Sequence, residues 1–155
     1  MSFTPTSPVT GATVTGLTSP TYTLLADQNP SVNGKQWYVS ALGGTQTGVS
    51  THAGSDPFTV SIYKVTNYNL VPTVTVGGSF KTSVPRNKFS LVFRKGVLPL
   101  AAMPKETAIC RVQFDLPAGS DTADAVEIAA LVSMSTGLLY ANATALYTTL
   151  VTNTI

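Results

Sequence analysis

Apolar and polar residues alternate along most of the chain between Thr21 and about Leu116, and that period of two predicts strands. In Phe58–Val65, Phe58, Val60, Ile62 and Tyr63 are set against Thr59, Ser61 and Lys64. In Thr73–Lys81, Val74, Val76 and Phe80 oppose Thr73, Thr75, Ser79 and Lys81, with a bend expected at Gly77-Gly78. The Val84-Pro85-Arg86-Asn87 turn leads into Lys88–Lys95, where Phe89, Leu91 and Phe93 oppose Lys88, Ser90, Val92 and Arg94. Val97–Met103 and Glu106–Leu116 follow, parted by Pro104, and Cys110, Val112, Phe114 and Leu116 share one face of the last. Thr21–Ala26 and Gln36–Ala41, joined through Asn29-Pro30 and Asn33-Gly34, supply two earlier strands. Repeated alternation predicts an antiparallel sheet with one buried face and one wet face.

The period changes after Pro117-Ala-Gly-Ser. Asp121 suits a helix N-cap, Asp124 and Glu127 suit the positive end of the helix dipole, and Gly137 suits a left-handed stop. One helix is expected over about 121–136 and a second over about 140–151. Strands followed by helices argue for an α+β fold with a meandering sheet. Residues 1–155 read as a single domain: 1–20 an arm or extra hairpin, 21–116 the sheet, and 121–152 the helices. The first helix, with Ala123, Val126, Ile128, Ala129, Ala130, Leu131, Val132 and Met134, is apolar nearly all round, so it must be buried on every side. Two short helices cannot cover a sheet of about six strands, so a second copy is expected to complete the core.

Composition sharpens this picture. Only 10% of residues are charged, whereas 24 Thr and 14 Ser supply the polarity. Ile128–Ile155 carries no charge, but hydroxyls and Asn142 interrupt it too often for a membrane span, and the N-terminus does not read as a signal peptide. The net charge of +2 conceals a sorting. From Lys81 to Arg111 seven basic residues face the single acid Glu106, a net of +6, and the rest of the chain is −4. Lys81, Lys88, Arg94 and Arg111 fall opposite the apolar strand face. Two readings fit a basic, hydroxyl-lined surface: a nucleic-acid footprint, or a face that Lys and Arg keep soluble.

No catalytic arrangement is visible. His52 is the only histidine and stands in a Gly/Ser/Thr-rich stretch that reads as a loop, so no Ser-His-Asp triad is indicated. Cys110 alternates with the core set and reads as a small buried residue. With one Cys and one His there is no disulfide and no ordinary zinc site. No phosphate loop or dinucleotide fingerprint is present. The expectation is a non-enzyme without cofactor or metal. Trp37 and Tyr38 read as core or interface aromatics.

Several short stretches, in order, resemble the coat proteins of single-stranded RNA bacteriophages, the levivirus type. Arg86-Asn87-Lys88-Phe89-Ser90-Leu91 is similar to the family's basic turn into its central strand. Leu98-Pro99-Leu100-Ala101-Ala102 is similar to its penultimate strand, and Gln113-Phe114-Asp115-Leu116 with Gly119-Ser120-Asp121 resembles its strand-to-helix junction. Ala129-Ala130-Leu131 stands where its first helix is expected. The resemblance covers roughly residues 20–155. It implies an N-terminal hairpin, an antiparallel sheet of about five strands and two C-terminal helices. It further implies an intertwined homodimer with one continuous sheet, assembled into an icosahedral shell. Single-stranded RNA would be held on the sheet face, an operator hairpin could repress replicase translation, and a maturation protein would be a further partner. The location implied is the virion, and the bacterial cytoplasm during assembly.

By the same resemblance Lys88, Ser90 and Arg94 would contact RNA from one strand, and Thr75, Ser79 and Lys81 from its neighbour. Arg111 is added to this RNA-binding set by the alternation of the last strand, which puts it opposite the apolar face. Val92 departs from the pattern, since many members place a basic residue there. Val126, Ala130, Leu131, Met134, Tyr140 and Tyr147 are the expected dimer contacts. Two other classes stay open on sequence alone: a sheet-based nucleic-acid-binding dimer that forms no shell, and a β-rich surface or pilus subunit.

Overall fold

A computed structural model describes residues 2–155. Six strands form one antiparallel meander in chain order: β1 (Val9–Thr10), β2 (Thr18–Asp27), β3 (Gly34–Thr45), β4 (Phe58–Tyr63), β5 (Arg86–Val97) and β6 (Glu106–Pro117). Three helices follow: α1 (Ser120–Ala123), α2 (Ala125–Ala141) and α3 (Ala143–Thr152). The α+β order and the meander agree with the alternation. Two expected strands do not form. Thr73–Lys81 closes on itself as a small hairpin outside the sheet, because Gly78 takes a left-handed turn (φ +80°) and Thr75 N–H reaches Ser79 O at 2.7 Å. Val97–Met103 is a strand only at Val97; beyond it, Pro99, Pro104 and the left-handed Ala102 (φ +67°) make a turn. The central strand's neighbours are therefore β4 and β6.

Cross-strand partners share a face. One face is apolar: Trp37 opposes Val60, which opposes Phe93, which opposes Cys110, and Ile62, Leu91 and Val112 form the adjacent row. The N-terminal arm roofs part of it. Phe3 stands edge-on to Trp37 at 5.9 Å, Lys35 Nζ donates to Ser2 Oγ at 2.6 Å, and Ser7 Oγ bonds both N–H and C=O of Leu24. Trp37 and Val39 are buried there, but Phe93 stays exposed. Cys110, expected to be buried, is exposed as well, because it lies on the edge strand where nothing from its own chain covers it.

The helices explain the gap. They touch one another but make no substantial contact with the strands, and none of their residues is buried. Their boundaries also differ from expectation. Gly119, at φ +87°, precedes α1 in place of Asp121, and Asp124 precedes α2 without a side-chain cap. The helix runs through Gly137, since a single glycine costs only about 1 kcal/mol in a helix. The break comes at Asn142, whose Nδ2 donates back to Leu138 O at 3.0 Å, and α3 leaves at 65°. Among the described residues no single helix is long and apolar enough to cross a membrane.

Candidate nucleic-acid face and subunit surfaces

Lys88, Ser90, Val92 and Arg94 point to the same side of β5, opposite Phe89, Leu91 and Phe93. Across β6 they meet Asp115, Gln113, Arg111 and Ile109; across β4 Ser90, Val92 and Arg94 meet Tyr63, Ser61 and Thr59. Lys88, Ser90, Arg94 and Arg111 are thus brought together on one face. Thr75, Ser79 and Lys81 are not: they sit exposed on the separate hairpin, because the strand expected to carry them beside β5 does not exist. Their place beside β5 is taken by Thr59, Ser61 and Tyr63. The alternation in Phe58–Tyr63 already marked Thr59 and Ser61 as polar-face residues, and only the strand order was missing.

Arg94 is half-buried and tied into the sheet. Its guanidinium donates to Ser61 Oγ at 2.9 Å, Ser61 donates to Gln36 Oε1 at 2.9 Å, and Gln36 Nε2 donates to Asp27 Oδ2 at 2.6 Å. This row links β5 to β2 across four strands. Burial alone would raise the Tyr63 phenol, but the Arg94 guanidinium, with Asn29 and Ser61 beside it, brings it below its ordinary value. Val92 lies flush in the row, 6% exposed, between Ser61 and Arg111. Lys88 and Arg111 are exposed, and neither pairs with an acid among the described residues.

Three of the seven bases in the Lys81–Arg111 segment are spent internally. Arg86 bonds Asp115 at 2.8 Å. Lys95, on the apolar side beside Phe58, meets Asp56 at 2.7 Å, and Lys105 and Ser50 bond the same carboxylate. Asp56 is buried, which by itself would raise its pKa; the hydrogen bonds from Lys105, Lys95 and Ser50 outweigh that and hold it well below the usual carboxylate range. No cluster of three or more His, Cys, Asp or Glu suited to a metal occurs among the described residues. The face can offer cations, hydroxyls and amides to an anionic polymer.

Two further surfaces lack partners. β6 ends the sheet, so its twelve residues leave one row of backbone groups unpaired. A long edge of this kind is a template for another strand. The helices present Val126, Ala130, Leu131, Met134, Tyr140 and Tyr147 to solvent, with Val126 78% and Met134 67% exposed.

This arrangement has a close counterpart. The chain is similar to the subunit of the "Virus-like particle of bacteriophage ESE020", with 38% identity over 99% of this chain and 100% of that one, at a TM-score of 0.95. A second solved chain, from the "Virus-like particle of Wenzhou levi-like virus 4", shares 14% identity over 88% of this chain and 68% of its own, at a TM-score of 0.41. No protein-family model and no curated protein matches.

Proposed function

The chain belongs to the coat proteins of single-stranded RNA bacteriophages of the levivirus type, a structural and non-enzymatic component of the virion, and we propose that its unpartnered surfaces are those from which the shell is built. All 155 residues act as one coat domain. Two copies pair through their β6 edges into a continuous sheet, and the helices of each lie over the apolar face of the other. The observation that carries this reading is that α1–α3 bury nothing in their own chain while Phe93 and Cys110 lie uncovered on the sheet. Val126, Ala130, Leu131, Met134, Tyr140 and Tyr147 fill that contact. Dimers then close into an icosahedral shell.

The opposite face points inward and holds the genome. Lys88 and Arg111 supply free cations, Arg94 a positioned one, and Ser90, Gln113 and Tyr63 hydrogen-bonding groups. Thr75, Ser79 and Lys81, away from the sheet, are left out of this face. Repression of replicase translation through an RNA hairpin, and contact with a maturation protein, belong to the same proposal and rest on the family resemblance alone. The buried Val92 favours genome binding by charge over a family-style hairpin pocket.

Expression of the chain alone, followed by electron microscopy and nuclease treatment, tests the proposal. Uniform spherical particles holding nuclease-protected RNA are expected. Soluble dimers that never form particles would overturn shell formation, and stable monomers would overturn the dimer as well.

A further inference from the structure

We infer, building on the coat-protein reading, that the β4–β5 loop is a brace. Tyr68 and Val71 are positioning residues that hold the Ala118-Gly119 hinge open, so that the helices of each copy cover the partner's sheet and not their own.

Exchange of helices between copies needs such a device. Two residues, Ala118 and Gly119, part β6 from α1. The seventeen residues of α2 reach about 25 Å, enough to cross about five strands. The helix is therefore long enough to lie over Phe93 and Cys110 of its own chain. Its apolar contacts would be the same on either sheet, so they cannot choose between the two. Tethering gives the chain's own sheet an effective concentration on the order of millimolar, which favours a closed monomer. An exchanged dimer and a closed monomer differ at the hinge, so the hinge decides.

Three contacts hold that hinge. Ala118 is buried, and its N–H donates to Pro85 O at 2.9 Å, just ahead of β5. Gly119 takes φ +87°, which glycine adopts without strain, and Val71 Cγ2 occupies the place of a Cβ there. Asp121, in α1, lies beside Tyr68, and its carboxylate raises the phenol above its ordinary value. With the hinge so placed, the helices make no substantial contact with their own strands. The bond from Thr144 Oγ1 to Thr13 O, at 3.2 Å, lies outside the strands and leaves Phe93 and Cys110 uncovered.

The brace is itself fixed on both sides of Val71. Before it, Asn87 is 2% exposed and exchanges two hydrogen bonds with the backbone of Asn69, at 2.8 and 3.0 Å. Asn69 Nδ2 donates a third to Arg86 O at 2.9 Å. After it, the small hairpin closes, with Thr75 N–H on Ser79 O at 2.7 Å and Lys81 N–H on Thr73 O at 3.1 Å. Val71 is gripped between two ordered segments, so it stays over Gly119. The hairpin that the sheet excludes thereby acts on the helices, as the stiff end of their brace.

The test uses the full chain with Tyr68→Ala and Val71→Ala together. Both residues are exposed, so the sheet core is untouched. Sedimentation of unassembled protein should show the dimer dissociation constant raised at least about tenfold. The monomers released should keep Cys110 shielded from a thiol reagent, because their own helices now cover it, and a merely structural role would not do that. An unchanged dissociation constant would overturn the inference, and so would monomers whose Cys110 reacts freely. A second variant, with residues 66–84 replaced by a short Gly-Ser link, should be a folded monomer that keeps its helix content and forms no particles. If it stays dimeric, or if neither variant folds, the loop does not choose between the sheets and the inference falls. Wild-type protein that is itself monomeric, or dimeric with a freely reactive Cys110, would instead overturn the dimer of the coat-protein reading, which separates the two failures.

Discussion

Asp56 is the residue on which most of the local charge turns. It joins the β3–β4 loop to Lys95 at the end of β5 and to Lys105 before β6. Removing its charge leaves two ammonium groups facing a buried neutral amide. Asp56→Asn should therefore cost about 2–4 kcal/mol, because a partly buried pair broken on one side strands its partner. The pH dependence has a definite sign. The folded carboxyl titrates below its ordinary value of 3.8, so its stabilisation is complete above that value and is lost as pH falls through and below it. Thermal melts from neutral pH down to about pH 2 should show a steeper acid loss for wild type than for Asp56→Asn. Parallel curves would remove Asp56 from the account. Sequence placed Lys95 and Lys105 in a basic run; it had no means of bringing Asp56, some forty positions earlier, against them.

Among the elements, α2 departs furthest from the ordinary surface helix. Its seventeen residues have no polar stripe, and Leu131, Met134 and Leu138 are exposed in the single chain. An amphipathic helix packs on its own core; one that is apolar all round needs cover on all sides. Burying each such side chain against a partner contributes roughly 1.5–3 kcal/mol. Met134→Asp would place a carboxylate in the proposed dimer contact, one from each copy. Loss of the dimer is expected by analytical ultracentrifugation, whereas Thr47→Asp, in the exposed β3–β4 loop away from the helices and the β6 edge, should leave it intact. If Met134→Asp remains dimeric, the helices meet their partner by another surface. The all-apolar character was plain from the residue pattern, but the helix ends were not. Gly137 read as a stop, yet neighbouring turns carry the helix past it, with Thr136 Oγ1 bonded back to Val132 O at 2.8 Å.

For the whole molecule the question is how few charges the proposed genome-facing surface offers. After internal pairing, Lys88 and Arg111 are the cations of the sheet face left without an acid among the described residues, and Arg94 is held by Ser61. Each phosphate left without its cation should lower the salt slope of single-stranded RNA binding by about 0.7. The Lys88→Ala, Arg111→Ala variant should package less RNA and show a flatter dependence of RNA affinity on salt, with an unchanged melting temperature. An unchanged slope would show that the genome is held elsewhere. Arg94 is the wrong residue for a clean test, because its removal also breaks the row Arg94–Ser61–Gln36–Asp27.

Strand alternation, the all-apolar helices and the concentration of bases from Lys81 to Arg111 are local or compositional properties, and each could be read from residue order alone. They were enough for an α+β class and a wet basic face, and they are the grounds on which a second copy is expected. Strand order is not local. Thr73–Lys81 alternates as well as Phe58–Tyr63 does, and the decision between them rests on a glycine turn that lets the former pair with itself. That decision moved Thr75, Ser79 and Lys81 off the face and put Thr59, Ser61 and Tyr63 on it. The same holds for charge: which bases are free and which are consumed depends on contacts between residues far apart in the chain, and those exist only once the sheet has formed.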